Sequence, residues 1–166
     1  MSIPISLRLK VWFYRMLTGF QPVPKIQCIP VDPDPILGSC TFNGLDAYDC
    51  SRIAPTPHSP NVNFASHLWI DGDAPTDRQK AAFAALLSSY EQLWPSVART
   101  LVELHPALTG IAEVEAHLSN RIAVIIGEYT EDSLELIYEF DLPDEGSRCF
   151  FLRICGNEIL EAVIAV

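Results

Sequence analysis

No catalytic signature runs through this chain of 166 residues. It contains no G-x-S-x-G, P-loop, G-x-G-x-x-G or H-E-x-x-H pattern, the local arrangements that hold nucleophiles, phosphates, dinucleotides and zinc. The four histidines, His58, His67, His105 and His117, are scattered, with no metal-ligand spacing among them. A binding protein without cofactor or metal is expected. No run of 18 apolar residues occurs, so no membrane-spanning helix is predicted. Arg8, Lys10 and Arg15 interrupt any signal-peptide core, and no small-residue cleavage site follows. The five cysteines, Cys28, Cys40, Cys50, Cys149 and Cys155, are odd in number and form no C-x-x-C. Free buried thiols in a reducing compartment, the cytoplasm, are the expectation.

Hydrophobic residues make up 49% of the chain and charged ones 19%, which is the composition of a folded globule rather than a disordered chain. The length suits one domain that buries a core without staples. Charge is lopsided. Residues 1–25 carry Arg8, Lys10, Arg15 and Lys25 with no acid, whereas residues 26–166 hold 7 bases against 21 acids. A body of net charge −14 lacks the clustered cations that phosphate binding needs. Nucleic acid is therefore a poor direct partner, and a basic protein a better one.

From Ser6 to Phe20, Leu9, Trp12, Phe13, Met16, Leu17 and Phe20 recur at helical spacing, and Gly19, Pro22 and Pro24 stop the pattern. The sequence leaves three uses open for this segment: packing on the body, anchoring to a membrane surface, or docking on a partner. Prolines at 22, 24, 30, 33 and 35 predict an extended connector, with Asp32 and Asp34 solvated. A hairpin is expected from Ile36 to Phe42 through an Asn43-Gly44 turn to Tyr48, then a loop at Pro55, Pro57 and Pro60, then a strand over 63–70. At Pro75-Thr76-Asp77-Arg78-Gln79 the spacing predicts a capping box that opens a helix. Pro95 either kinks this helix or opens a second one, and a short helix is expected over 111–118. After Asn120 the period changes to two, with strands over 122–128, 134–140, 148–155 and 158–165, the last two joined by a Gly156-Asn157 turn. The expectation is an α+β fold. A basic amphipathic segment (1–24) precedes one domain (25–166), whose antiparallel sheet combines an N-terminal hairpin and strand with a C-terminal four-strand meander. A central helical pair packs on one face.

The most concentrated surface feature is acidic. Glu128, Glu131, Asp132, Glu135, Glu139, Asp141, Asp144 and Glu145 fall within 18 residues that contain no Lys or Arg. Strand alternation puts Glu135 and Glu139 on one face, opposite Tyr138. Glu128, Glu131, Asp132, Glu135, Tyr138, Glu139, Asp144 and Glu145 are the candidate partner-binding residues, with Tyr138 and Tyr129 as aromatic anchors. A competing reading places an unrecognised catalytic site around His67, Asp71 and Asp73.

The order of an Asp-Pro-Ile-Leu-Gly strand entry (34–38), a strand ending near Gly72, Pro75-Thr76-x-x-Gln79, a Tyr138-Glu139 strand and a Gly156-Asn157 hairpin resembles small bacterial domains found beside polymorphic and contact-dependent toxins, including immunity proteins. The resemblance covers residues 34–166. It implies a cytoplasmic inhibitor that occludes a cognate toxin, and a basic nuclease would suit an acidic face. The alternative is an adaptor that docks through residues 1–24 to a membrane surface or a larger assembly. Homodimerisation through an edge strand is left open.

Overall fold

The computed structural model describes residues 29–44, 46–142 and 146–165. The expected N-terminal segment, Cys28, and the turn residues Pro143, Asp144 and Glu145 lie outside these. Eight strands form one sheet in chain order: β1 (Ile29–Asp34), β2 (Gly38–Phe42), β3 (Ala47–Thr56), β4 (Ser59–Trp69), β5 (Leu118–Ile126), β6 (Leu134–Leu142), β7 (Gly146–Cys155) and β8 (Glu158–Ala165). All neighbours are antiparallel except β4 and β5, which run parallel. Parallel neighbours need a crossover, and helices α1 (Asp77–Leu104) and α2 (Ile111–His117) supply it. The class is α+β.

Thr76 caps α1 as its spacing requires. Its side chain accepts from the Gln79 amide at 3.2 Å, and the Gln79 side chain accepts from the Thr76 amide at 3.0 Å. Gln79 Nε2 also donates to the Trp69 carbonyl, so the capping glutamine ties the helix start to the end of β4. Gly127, at φ +88°, lies against this junction, where an added Cβ would stand 2.7 Å from Gln79 Nε2. The expected helical pair is instead one helix of 28 residues with Pro95 inside it. A proline costs a helix one backbone hydrogen bond, and here the buried Leu93, Trp94, Val97, Ala98 and Leu101 hold both sides of it to the core.

The proline loop at 55–60 is a correction as well. β3 and β4 continue through it to a turn that pairs Thr56 with Ser59, and the ladder shifts register between Ala54 and Thr56. Pro55 falls within that irregularity, where its missing N–H leaves no regular ladder bond unmade. The arm reaches α1: the His58 ring packs 4.4 Å from Trp94 and 6.2 Å from Tyr90. Asp34, expected to be solvated, accepts from the Ile36 and Leu37 amides at 2.8 and 3.0 Å and pairs with Lys80 of α1 at 2.8 Å. Burial alone would raise its carboxyl pKa, but the Lys80 ammonium and the two amides hold it below the usual value. β1, with Pro30 and Pro33, sits at the sheet edge, where prolines are tolerated.

Cys40 and Cys50 are not free thiols. They are register partners across β2 and β3 and form a disulfide, with Cα atoms 4.1 Å apart. Cys149 and Cys155 are free.

One face of the sheet carries the core. Phe64, Val124, Leu136, Tyr138, Phe150 and Leu152 are fully buried or within 1% of it, and they meet Phe83 and Tyr90 of α1 through ring contacts and a hydroxyl pair. The alternate residues of the same strands point away from the helices.

Candidate functional site

The second face of the sheet is composed in rows, because pairing places register partners side by side. One row runs Asp49, His67, Ile125, Glu135, Arg153, Glu161 from β3 to β8. The next runs Ser51, Ala65, Ala123, Ile137, Phe151, Val163. Glu139, Cys149 and Ala165 continue the face on the other side, with Asp141 and Ser147 beyond them. The middle row is apolar from β4 to β8, and its members from Ala65 to Val163 are half-buried.

The acid run is split by this geometry. Glu135 is 7% exposed although it belongs to the second face. Its cross-strand partner Arg153 reaches Glu161 at 3.2 Å and lies over the Tyr129 ring at 4.9 Å. Glu135 and Glu161 thus stand on either side of Arg153 in this row, and the one guanidinium offsets at most one of the two carboxylate charges. Glu131 and Asp132 meet Arg78 of α1 at 3.3 and 2.8 Å. The Arg78 hydrogen bond and charge hold the Asp132 carboxyl below its usual range. Glu128 is half-buried, and Asp144 and Glu145 lie outside the described residues.

Tyr138 is a correction. It is fully buried on the helix face, and its hydroxyl lies 3.1 Å from that of Tyr90. An aromatic residue in the core cannot anchor a partner, because strand alternation has turned it inward. Tyr129 is exposed at 41%.

The acids that remain outward together are Glu139 and Asp141, two residues apart near the end of β6. They border a depression of about 620 Å³ with His117, Ser119 and Ser147. Ser147 Oγ donates to Glu139 Oε1 at 2.8 Å, and Asp141 has no partner among the described residues. An exposed carboxylate pair of this kind adds little binding energy by itself and acts through its local negative field.

His67 does not gather with Asp71 and Asp73. Its Nδ1 lies 2.7 Å from Asp49 Oδ1 across the ladder, and its ring stands edge-on to Trp69. Asp71 and Asp73 are exposed in the connection to α1, where the Asp73 carbonyl accepts from the Tyr48 hydroxyl at 2.9 Å. Among the described residues, no group of three or more His, Cys, Asp or Glu side chains is placed to hold a metal ion. No helix among them is long and apolar enough to cross a membrane.

Sequence reasoning missed the cations and the apolar row. Arg78 and Arg153 neutralise acids distant in sequence, and only the register shows it. Ile137, Phe151 and Val163 were legible singly as the alternate residues of strands, but their alignment depends on pairing. Comparison with protein-family models, with curated proteins and with solved structures gives no match.

Proposed function

We propose that the chain is a non-catalytic binding protein of the immunity type, which receives a basic protein toxin on the second face of its sheet and occludes it. The observation that carries this reading is the pair Glu139 and Asp141, outward and adjacent at the rim of a depression, with Asp141 unpaired among the described residues. The apolar row beside them supplies contact area, and the carboxylates supply steering and exclusion of wrong partners. A net charge of −14 over residues 26–166 favours a cationic protein and disfavours nucleic acid. A cytoplasmic location belongs to the same proposal. The Cys40–Cys50 bridge counts against it, because such bonds persist mainly in oxidising compartments; thiol counting on protein taken directly from cells tests it, and an intact bridge there would overturn the cytoplasmic part of the proposal.

The test of function is co-expression with the products of neighbouring genes, followed by capture and a growth-rescue assay. A basic, growth-inhibiting partner is expected, with binding and rescue both weakened by Glu139→Lys with Asp141→Lys. No complex at micromolar concentration, or no effect of the double reversal, would overturn the reading.

A further inference from the structure

The sheet ends in two unlike edges. β1 carries Pro30 and Pro33, Asp32 and Asp34, and a register shift between Val31 and Asp34, which are the devices that keep an edge strand from pairing with another chain. β8 has no proline and no lysine, and over residues 161–165 it pairs with β7 one for one. Its irregularity lies earlier, where Leu160 is left over between Ile159 and Glu161 and stands 52% exposed. Among the described residues β8 has β7 on one side and no strand on the other, so every second residue turns its backbone N–H and C=O away from the sheet.

Side chains and charge suit a second copy of the chain. α1 contacts β8, and Ala162 and Ile164 are partly buried against the core, so the apolar interior reaches the edge itself. The β7–β8 hairpin sets Arg148 and Arg153 against Glu158 and Glu161, a net charge of zero within residues 26–166, whose net charge is −14. Two copies that repel over most of their surface can meet here. Antiparallel pairing of two β8 strands about a twofold axis requires the strand to face itself. With the axis at Val163, Val163 stands opposite its own equivalent, Ala162 opposite the second copy's Ile164, and Glu161 opposite the second copy's Ala165. The two Glu161 carboxylates are then four residues apart along the strands, roughly 13 Å, and each keeps Arg153 across its own ladder at 3.2 Å. An axis at Glu161 would set like charges face to face, and one at Ala162 would set them on the diagonal, contacts that destabilise a sheet.

We infer that β8 is the site at which two copies of this chain join, residues 161–165 of one pairing antiparallel with the same residues of the other about Val163. The twofold axis then stands perpendicular to the sheet. One continuous sheet forms, with both sets of helices on one face and both Glu139 and Asp141 pairs on the other. This is a backbone contact at the edge, separate from the face proposed for a basic partner, and the inference does not rest on that proposal.

Sedimentation velocity on the full chain tests it. The native protein is expected as a concentration-dependent dimer at micromolar levels. Val163→Lys and Val163→Glu each bring like charges together on the axis and should weaken association by at least about tenfold. An equimolar mixture of the two variants should recover the dimer, because a contact of residue 163 with itself turns a lysine toward a glutamate. A native monomer at every concentration would overturn the inference, as would charged variants that dimerise as well as the native chain, or a mixture that stays monomeric while both variants keep the native circular dichroism. Hydrogen exchange on the native chain guards against variants that fail to fold. The β8 amides should exchange more slowly in concentrated, dimeric samples than in dilute, monomeric ones, and equal rates would place the contact elsewhere and sink the inference. None of these outcomes bears on toxin capture, since no other protein enters the experiment.

Discussion

The hydroxyls of Tyr90 and Tyr138 lie 3.1 Å apart in the interior and join the middle of α1 to the middle of β6. Burial pushes both phenol pKa values up, and the Tyr138 group also raises that of Tyr90. Replacing Tyr138 with Phe leaves the Tyr90 hydroxyl without its partner and should cost about 1–2 kcal/mol. Replacing both should cost less than the sum of the single changes, because the second substitution removes the orphaned group. A double-mutant cycle in urea measures the coupling, and strict additivity would show that the pair contributes nothing jointly. A pH dependence follows. The folded pKa values lie above the unfolded value near 10, so this part of the stability is complete below pH 10 and is lost as the pH rises beyond it.

His58 sets the opposite limb. Burial against Trp94 and Tyr90 lowers its pKa, and the charge of Glu115, which accepts from Trp94 Nε1 at 3.2 Å, offsets this only in part. Neither ring nitrogen has a hydrogen-bond partner among the described residues. With the folded pKa below the unfolded 6.5, the unfolded chain binds the proton first, so stability falls as the pH drops below 6.5. His58→Phe keeps the ring packing and should flatten that decline. Denaturation midpoints of both proteins at pH 7 and pH 5 give the answer, and parallel losses would exclude His58 as the cause.

Gly127 sits where any side chain is costly. Its φ of +88° disfavours any L-residue, and a Cβ would press on Gln79 Nε2 and on the Trp69 carbonyl, 3.1 Å away. Gly127→Ala should therefore cost more than the roughly 1 kcal/mol of a left-handed alanine, because the capping glutamine must also move. Gln79→Ala in the same background separates the two effects. If the glycine substitution costs as much without Gln79 as with it, backbone strain alone is responsible.

Glu135 and Asp141 share one face of β6, six residues apart, yet the first is buried and the second exposed. Glu135→Lys sets a second cation beside Arg153 in a buried position and should destabilise by on the order of 3 kcal/mol. Asp141→Lys faces solvent and should change stability by less than about 0.5 kcal/mol. Thermal unfolding of the two variants checks this, and a reversed order would mean that the burial of Glu135 has been misassigned.

How much of this was legible beforehand depends on the range of the interaction. Thr76 and Gln79 announce the start of α1 because a capping box is complete within four residues. The alternation of Glu135, Ile137 and Glu139 shows which residues share a face, but not that the first of them is buried beside its register partner Arg153. Pro95 reads by local rule as a kink or as the start of a second helix, and tertiary packing on both sides of it keeps a single helix from Asp77 to Leu104. The Cys40–Cys50 bridge depends on register between β2 and β3, which no spacing in one chain specifies. Alternation puts Tyr138 opposite Glu135 and Glu139, but which of the two faces meets α1 is decided by the crossover, and that face is the one holding Tyr138. Residues 1–24, Asp144 and Glu145 lie outside the described residues, so the structure does not weigh the readings placed on them.

The single parallel ladder divides the order in which the molecule becomes complete during synthesis. β1 to β4 are joined by short turns and can pair as they emerge, whereas β4 waits for β5 until the whole crossover has been made. Until then Val62, Phe64 and Leu68 flank an open strand edge, the kind of surface on which growing chains associate with one another. A fragment ending at residue 117 should aggregate where the full chain does not, as light scattering during refolding would record. The second half of the sheet is therefore the first half's protection, and nascent chains stalled in the crossover are the species a chaperone would be called on to hold.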